Sequence, residues 1–192
     1  MLGSKWLTAV ALLGVGAAVG AAAIVLSTEV NRRTSTDTFC TSCHSMATLA
    51  SDSHFTQSVH QRNAAGVRVG CGDCHIPAGN WFSETYTHVS MGMKDVIAEY
   101  THNFNDPATW EKRRTELAAE VRDDMRSNDG ATCRKCHDAT AIRPTNAAGR
   151  AAHAMVQQGR VTCIDCHFNL AHAPVAPSAS FIQGSGLGAP SK

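Results

Sequence analysis

Eight cysteines fall without remainder into four Cys-x-x-Cys-His pentads, and nothing else in the chain restricts its fold as much. The pentads are Cys40-Thr41-Ser42-Cys43-His44, Cys71-Gly72-Asp73-Cys74-His75, Cys133-Arg134-Lys135-Cys136-His137 and Cys163-Ile164-Asp165-Cys166-His167. Two thiols held one turn apart can add to the two vinyl groups of one haem, and an imidazole directly after the second thiol then lies under the iron. Zinc sites built from paired Cys-x-x-Cys, redox dithiols and a disulfide framework compete for the same cysteines. None of them explains a histidine after the second cysteine in every case. The pattern predicts four covalently bound haem c groups, as in a tetrahaem c-type cytochrome.

A chain of 192 residues has room for one modest domain or two small ones. With aromatics at 6% and charged residues at 17%, a core of side chains alone would be thin. Four apolar haem discs would supply that core, so the apo chain is expected to be largely unfolded. The net charge is +1 and no basic run of the nucleic-acid type occurs, which excludes nucleic acid as a partner. Attachment of haem by this motif takes place outside the cytoplasmic membrane, so the haem-bearing part is expected to be exported.

Trp6 to Thr28 carries no charge and is rich in Ala, Val, Leu and Gly. At about 1.5 Å per residue it is long enough for the roughly 30 Å hydrocarbon layer. A cleaved signal peptide is the competing reading, since Lys5 precedes the run and Ala21-Ala22-Ala23 resembles a cleavage site. An h-region of about 7–15 residues would be shorter than this run. A retained anchor over residues 1–28 is therefore preferred, with the inner membrane as its location and the haem domain in the periplasm. Only the short polar segment from Glu29 to Phe39 separates the anchor from Cys40, so the first haem must sit near the bilayer.

The pentads are spaced as a duplication. Cys40 and Cys71 are 31 residues apart, Cys71 and Cys133 are 62 apart, and Cys133 and Cys163 are 30 apart. The fold expected is mainly α, with a single N-terminal transmembrane helix and a haem domain over 29–173. That domain would be made of two di-haem modules, about 40–75 and 133–167, joined by a helical insert over 76–132. Residues 174–192, rich in Ala, Pro, Gly and Ser, read as a flexible tail or else an extended arm.

Within the insert, Pro77, Gly79 and Asn80 predict a turn, Ser83 to Tyr100 a helix, and Asp106-Pro107 the start of another helix that ends at Asn128-Asp129-Gly130. Trp110, Leu117, Val121 and Met125 read as a packing stripe, and Glu111, Lys112, Arg113 and Arg114 as a solvated face.

Six histidines lie outside the pentads. His60 follows His44 by 16 residues, His153 follows His137 by 16, and each precedes a glycine, Gly66 or Gly159, by six. The repeat predicts helix, glycine turn, helix, with the histidine projecting toward a haem. A lone histidine is more often a surface residue, but two at matching positions favour axial ligation. His172 is too close to His167 to reach the far face of the same haem, yet free to reach a neighbour. His54 and His102 read as surface or hydrogen-bonding residues.

His44-Ser45-Met46, the run Asn63-Ala64-Ala65-Gly66-Val67-Arg68 leading to Cys71-Gly72-Asp73-Cys74-His75-Ile76-Pro77, and Thr162-Cys163-Ile164-Asp165-Cys166-His167 leading to Ala171-His172 resemble the NapC/NirT family of membrane-anchored tetrahaem cytochromes. The resemblance covers the anchor and nearly everything up to about Ala173. It implies a quinol dehydrogenase that passes electrons from membrane quinol to a periplasmic reductase for nitrate, nitrite or another acceptor, or to another soluble redox protein. It further implies His60, His153 and His172 as distal ligands of haems 2 to 4. It matches Met46 to a methionine that ligates haem 1 in place of the motif histidine, and Asp95 to an acid on the other side of that haem. Quinol oxidation releases two electrons and two protons, so a base near the first haem is required on chemical grounds; Asp95, with Lys94 or His88 beside it, would supply one. The competing reading of Asp95 is an exposed helix carboxylate. Ala78, where many members carry His or Lys, and His88, where members carry Lys or Arg, depart from the family pattern.

Two other functions stay open at this point. One is an electron-transfer subunit without its own quinol site, or one that reduces quinone in the opposite direction. The other is reduction of a small molecule at an open haem, for which haem 1 alone is a candidate. Gly14, Gly16 and Gly20 permit close contact between two anchors and thus a homodimer.

Overall fold

A computed structural model describes residues 2–77 and 79–185; Ala78 and the tail beyond 185 lie outside the described residues. Helix α1, Leu2–Thr34, contains the apolar run. Its hydroxyls are satisfied inside the helix: Thr8 donates to the Ser4 carbonyl, and Ser27 and Thr28 donate to that of Ile24. Such a helix brings no side-chain hydroxyl into lipid without a partner. Gly3–Thr34 has a mean hydropathy of 2.5, and among the described residues it is the one helix long and apolar enough to cross a membrane. It continues past Thr28 because Glu29 pairs with Arg32 at 2.8 Å and Arg33 at 2.6 Å, one turn on.

Four short helices follow: α2 (Asp37–Cys40), α3 (His44–Ser51), α4 (Ser53–Thr56) and α5 (Cys71–His75). The insert forms α6 (Trp81–Thr101) and α7 (Pro107–Ser127), as its cap signals predicted. The Asn80 side chain accepts from the Ser83 backbone, and that of Asp106 accepts from Thr109, with Pro107 in the first turn. Gly130, at φ +63°, lets the chain leave α7 in the left-handed region and enter α8 (Ala131–Arg134). Then come α9 (Ala147–Gln157), a 3₁₀ turn at Cys163–Asp165 and α10 (Ala179–Gly184). No strand occurs among the described residues, in keeping with the mainly α expectation.

Helix α6 starts at the level of the anchor's outer end and runs parallel to it. Trp81 Nε1 donates to Ser27 Oγ at 3.1 Å and Asn31 Nδ2 to Thr85 Oγ1 at 2.8 Å, while the His88 ring bridges Thr34 and Ser35, each at 3.1 Å. The second pentad seats on the same corner. Asp37 Oδ1 accepts from the Cys71 backbone at 2.7 Å, and a Cβ on Gly72 would lie 2.6 Å from the Ser35 carbonyl oxygen. Only glycine fits there.

The two halves of the repeat fold differently. His153 lies in α9, where an alanine-rich sequence favours helix, whereas His60 lies in a turn beyond α4. In that first half Asp52 caps the four-residue α4, and Asn63 takes the Val67 backbone N–H onto its own carbonyl oxygen. Side chains of this kind compete with the helix for backbone groups. Both predicted glycine turns are present, with Gly66 at φ +69° and Gly159 at φ +68°.

The buried hydrophobic side chains among the described residues are Val161, Ile164, Val175 and Phe181, all around the last pentad. Elsewhere side chains build no core of their own. The stripe of Trp110, Leu117, Val121 and Met125 is half-buried, as packing requires.

The tail needs correction. Up to residue 185 it is held rather than free: Val175 is 8% and Phe181 2% exposed, and α7 grips the backbone. Arg114 donates to the Ala173 carbonyl at 2.8 Å, Arg122 to that of Val175 at 2.7 Å and Arg126 to that of Phe181 at 2.8 Å. Composition suggested flexibility because it averaged over two anchoring apolar residues. Arg114, read as part of a solvated face, spends one guanidinium nitrogen on this clamp.

Candidate haem-binding sites

The second, third and fourth pentads are each a single turn whose backbone is closed locally, whereas the first is split between α2 and α3 by an extended Cys43. In the second and fourth, the aspartate before the second cysteine does this. Asp73 Oδ2 accepts from the Gly70 backbone at 2.8 Å, and Asp165 Oδ2 from that of Thr162 at 2.7 Å. The turns follow one another in space as in sequence, α2 against α5 and α5 against α8. The third and fourth meet at Gly130, where a Cβ would lie 3.6 Å from Cys133 Sγ and 3.7 Å from Cys163 Sγ.

The histidines after the second cysteines separate into two kinds. Three of them face a second imidazole. His75 and His172 have ring centres 6.2 Å apart, His137 and His60 6.3 Å, and His167 and His153 6.1 Å. A metal held by two imidazole nitrogens at roughly 2.0–2.1 Å each places the ring centres about 6 Å apart. The spacing therefore suits one iron between the members of each pair. Two of the three imidazole pairs join the N-terminal and C-terminal halves of the chain, His60 with His137 and His172 with His75.

Surroundings of these rings agree with ligation. His153 Nδ1 donates to the Gly149 carbonyl at 2.8 Å, which leaves Nε2 with a free lone pair, the usual arrangement behind a metal-bound histidine. His172 Nδ1 is buried without a hydrogen-bond partner, and Phe55 stacks on its ring at 5.7 Å. His75 is exposed along part of its side chain, while crowding of its ring by protein, and next the His172 charge, push its pKa down to about 4. Burial likewise lowers His172. The residues present fit four haem c groups: eight thiols in the right pairs and three bis-imidazole sets.

His44 is different. Its Nε2 donates to Asn105 Oδ1 at 2.9 Å, and no second imidazole stands opposite. Glu99 on α6 accepts from the Ser45 backbone at 3.2 Å and from Ser45 Oγ at 2.5 Å, which fixes the start of α3. Met46, two residues after His44 on the same helix, is half-buried. Two carboxylates one turn apart on α6 have shifted in opposite directions. The Ser45 hydroxyl keeps Glu99 below the usual carboxylate range. Asp95 is exposed on α6, as its competing reading had it; partial desolvation by neighbouring protein raises it, with Lys94 and Arg113 pulling the other way. Asp95 lies one turn before Glu99, the residue through which α6 bonds to Ser45 beside the first pentad. Lys94 is exposed beside it, while His88 is bound through both ring nitrogens to α1 and serves as a strut. His54 and His102 make local hydrogen bonds at the surface, as expected.

Sequence reasoning passed over Asn105, Glu99, Arg122 and Arg126. Arg126 Nε pairs with Asp165 Oδ1 at 2.7 Å, with the Asp165 side chain 3% exposed. Asp165 stands inside a pentad, and a buried carboxylate there needs a cation; that was the available signal.

The NapC/NirT cytochrome c family, N-terminal region, matches residues 3–177. The chain is 37% identical over 170 residues to the cytochrome c-type protein TorY of Haemophilus influenzae, covering 88% of this chain and 44% of that protein. It is 37% identical over 155 residues to a tetraheme cytochrome c-type protein of Nitrosomonas europaea, covering 78% and 64%. With the cytochrome c-type protein NapC of Paracoccus pantotrophus it shares 32% over 142 residues, 72% and 59% of the two chains. The chain thus spans less than two thirds of each of these relatives. No solved structure matches it.

Proposed function

The chain belongs to the NapC/NirT cytochrome c family, and on that premise we propose that it is a membrane-anchored tetrahaem cytochrome that oxidises quinol beside its first pentad and relays electrons to a periplasmic reductase. The observation that supports the reading is the course of α6, which bonds at Trp81 and His88 to the end of the one membrane-length helix among the described residues and at Glu99 to Ser45 beside the first pentad, with Asp95 between. Family membership makes the chain a c-type cytochrome of respiratory electron transport, with haem c bound covalently.

When bound, the haems supply one-electron carriers at successive pentads. The chain's own residues do the rest. Cys40 and Cys43, Cys71 and Cys74, Cys133 and Cys136, and Cys163 and Cys166 hold the porphyrins. His75 with His172, His137 with His60, and His167 with His153 would each hold one iron, a ligand set that suits electron transfer rather than substrate binding. The first site lacks a second histidine. Met46 is its candidate ligand, and Asp95 Oδ takes a quinol proton, its raised pKa bringing it nearer to working pH. Trp81 and His88 fix α6 against α1, so that Asp95 is held at a set height above the bilayer. The haem domain faces the periplasm, where the motif is loaded.

The test is reduction of the detergent-solubilised protein by a reduced quinol analogue, followed by haem absorption. Asp95→Asn slows it about 10²–10⁴-fold, the usual range for loss of a general base. In the native protein the rate falls as pH drops through the Asp95 pKa, because the protonated acid accepts nothing. That fall begins above the ordinary carboxylate range, and Asp95→Asn abolishes it. Absence of reduction by any quinol at any pH sinks the quinol reading and favours an electron-transfer subunit that draws on another protein.

A further inference from the structure

Arg122 is 4% exposed, on the face of α7 against the last pentad. Its guanidinium stands 5.0 Å from the ring centre of Phe168, the residue directly after His167, and 5.9 Å from that of Phe181. Every hydrogen bond it makes goes to a neutral acceptor: the Val175 carbonyl at 2.7 Å, Asn169 Oδ1 at 3.0 Å and the Ala176 carbonyl at 3.3 Å. The carboxylate close by, Asp165, belongs to Arg126. Arg122 has no ion pair among the described residues, and desolvation alone acts on it. A guanidinium stays charged even so. The cluster therefore keeps one uncompensated positive charge, shielded from water and held against the two residues that directly follow a proximal histidine.

We propose that Arg122 is the fixed charge that raises the reduction potential of the haem held by Cys163, Cys166 and His167 above those of the two preceding haems. Reduction adds one electron to that iron and neither gains nor releases a proton here, so a buried cation favours the reduced form. The electron comes from the haem at Cys133, Cys136 and His137, which is oxidised in turn. Cations near that third pentad do not act equally: Arg134 is paired with Asp129 at 3.0 Å and Lys135 is exposed, so water and counter-charge damp both. Electrons then gather at the end of the chain farthest from the anchor, where a soluble acceptor can collect them. The inference rests on the tetrahaem reading and its His153–His167 pairing.

A potentiometric titration of the full-length haem-loaded protein, followed by absorption and electron paramagnetic resonance, tests it. The component of the fourth haem is identified as the one displaced upward in His153→Met. Arg122→Met lowers that component by about a factor of ten in equilibrium occupancy, ~59 mV for a one-electron couple, and leaves the other three in place. Arg122→Lys keeps it where it was. Asp165→Asn, which removes the buried one of the two carboxylates paired with Arg126, moves it upward. An unmoved component in Arg122→Met overturns the proposal, as does Arg122→Lys falling as far as the methionine variant. If Arg122→Met does not load haem, Arg122→Gln replaces it: a lowered fourth component supports the proposal and an unmoved one overturns it. If His153→Met displaces nothing, the ligand pairing has failed instead.

Discussion

The first and last pentads share five-residue patterns and sit in opposite surroundings. Around Cys163–His167 lie the buried hydrophobic side chains Val161, Ile164, Val175 and Phe181, two arginines of α7, and a second imidazole 6.1 Å from His167. Around Cys40–His44 the contacts are polar: Glu99 to Ser45, Asn105 to His44 and Asp37 to the neighbouring pentad. One end is dry, clamped and faced by a second imidazole; the other is wet, strutted and has an acid on the neighbouring helix. A motif that only attaches haem thus leaves its chemistry to what the rest of the chain brings up, and under the proposed function this contrast suits entry of substrate at one end and passage of bare electrons at the other.

The largest break in that contrast is expected from the distal ligands. His60→Ala, His153→Ala or His172→Ala should each turn one low-spin haem signal into a high-spin one that binds carbon monoxide, with the other three unchanged. Met46→Ala should act on the first haem alone. A silent His60→Ala would undo the pairing with His137. Next comes the clamp at the dry end. Arg126→Met leaves the Asp165 carboxylate buried without its cation and should cost about 3–5 kcal/mol in thermal unfolding of the haem-loaded protein. Arg113→Ala, which removes a surface pair with Glu116, should cost under about 1 kcal/mol. Gly72→Ala at the wet end drives a methyl into the Ser35 carbonyl and should cost about 1–3 kcal/mol, with lower haem content at the second pentad. The smallest effect is expected for Asn105→Ala, which frees His44 Nε2: about 1 kcal/mol of stability and a change in the first haem's spectrum alone.

Much of this was legible along the chain. The pentads, the anchor, the caps of α6 and α7 and the two glycine turns are local patterns, and local patterns survive folding. The candidate distal histidines could be singled out by position but not matched to pentads, because the match crosses from one half of the chain to the other and depends on where turns, not residues, come together. Arg122 and Arg126 escaped notice for a different reason. Arginine on a helix rich in charges reads as solvated, and only the packing of Phe168 and Phe181 over α7 shows that these two are enclosed. The tail was misjudged because Phe181 is a single aromatic in a sequence of small residues, and its pocket is built by a distant helix.

The crossed pairing of His75 with His172 bears on how such a protein is made. A polypeptide threaded outward from its N-terminus delivers the second pentad almost a hundred residues before the histidine that faces it. Were porphyrin attached there early, the His172 ring would reach His75 only after the last stretch of chain had emerged and packed against Phe55. Completion of the assembly line would then run in a different order from attachment, and a chain truncated before residue 172 would mature with a vulnerable, ligand-accepting centre in its middle rather than at its end.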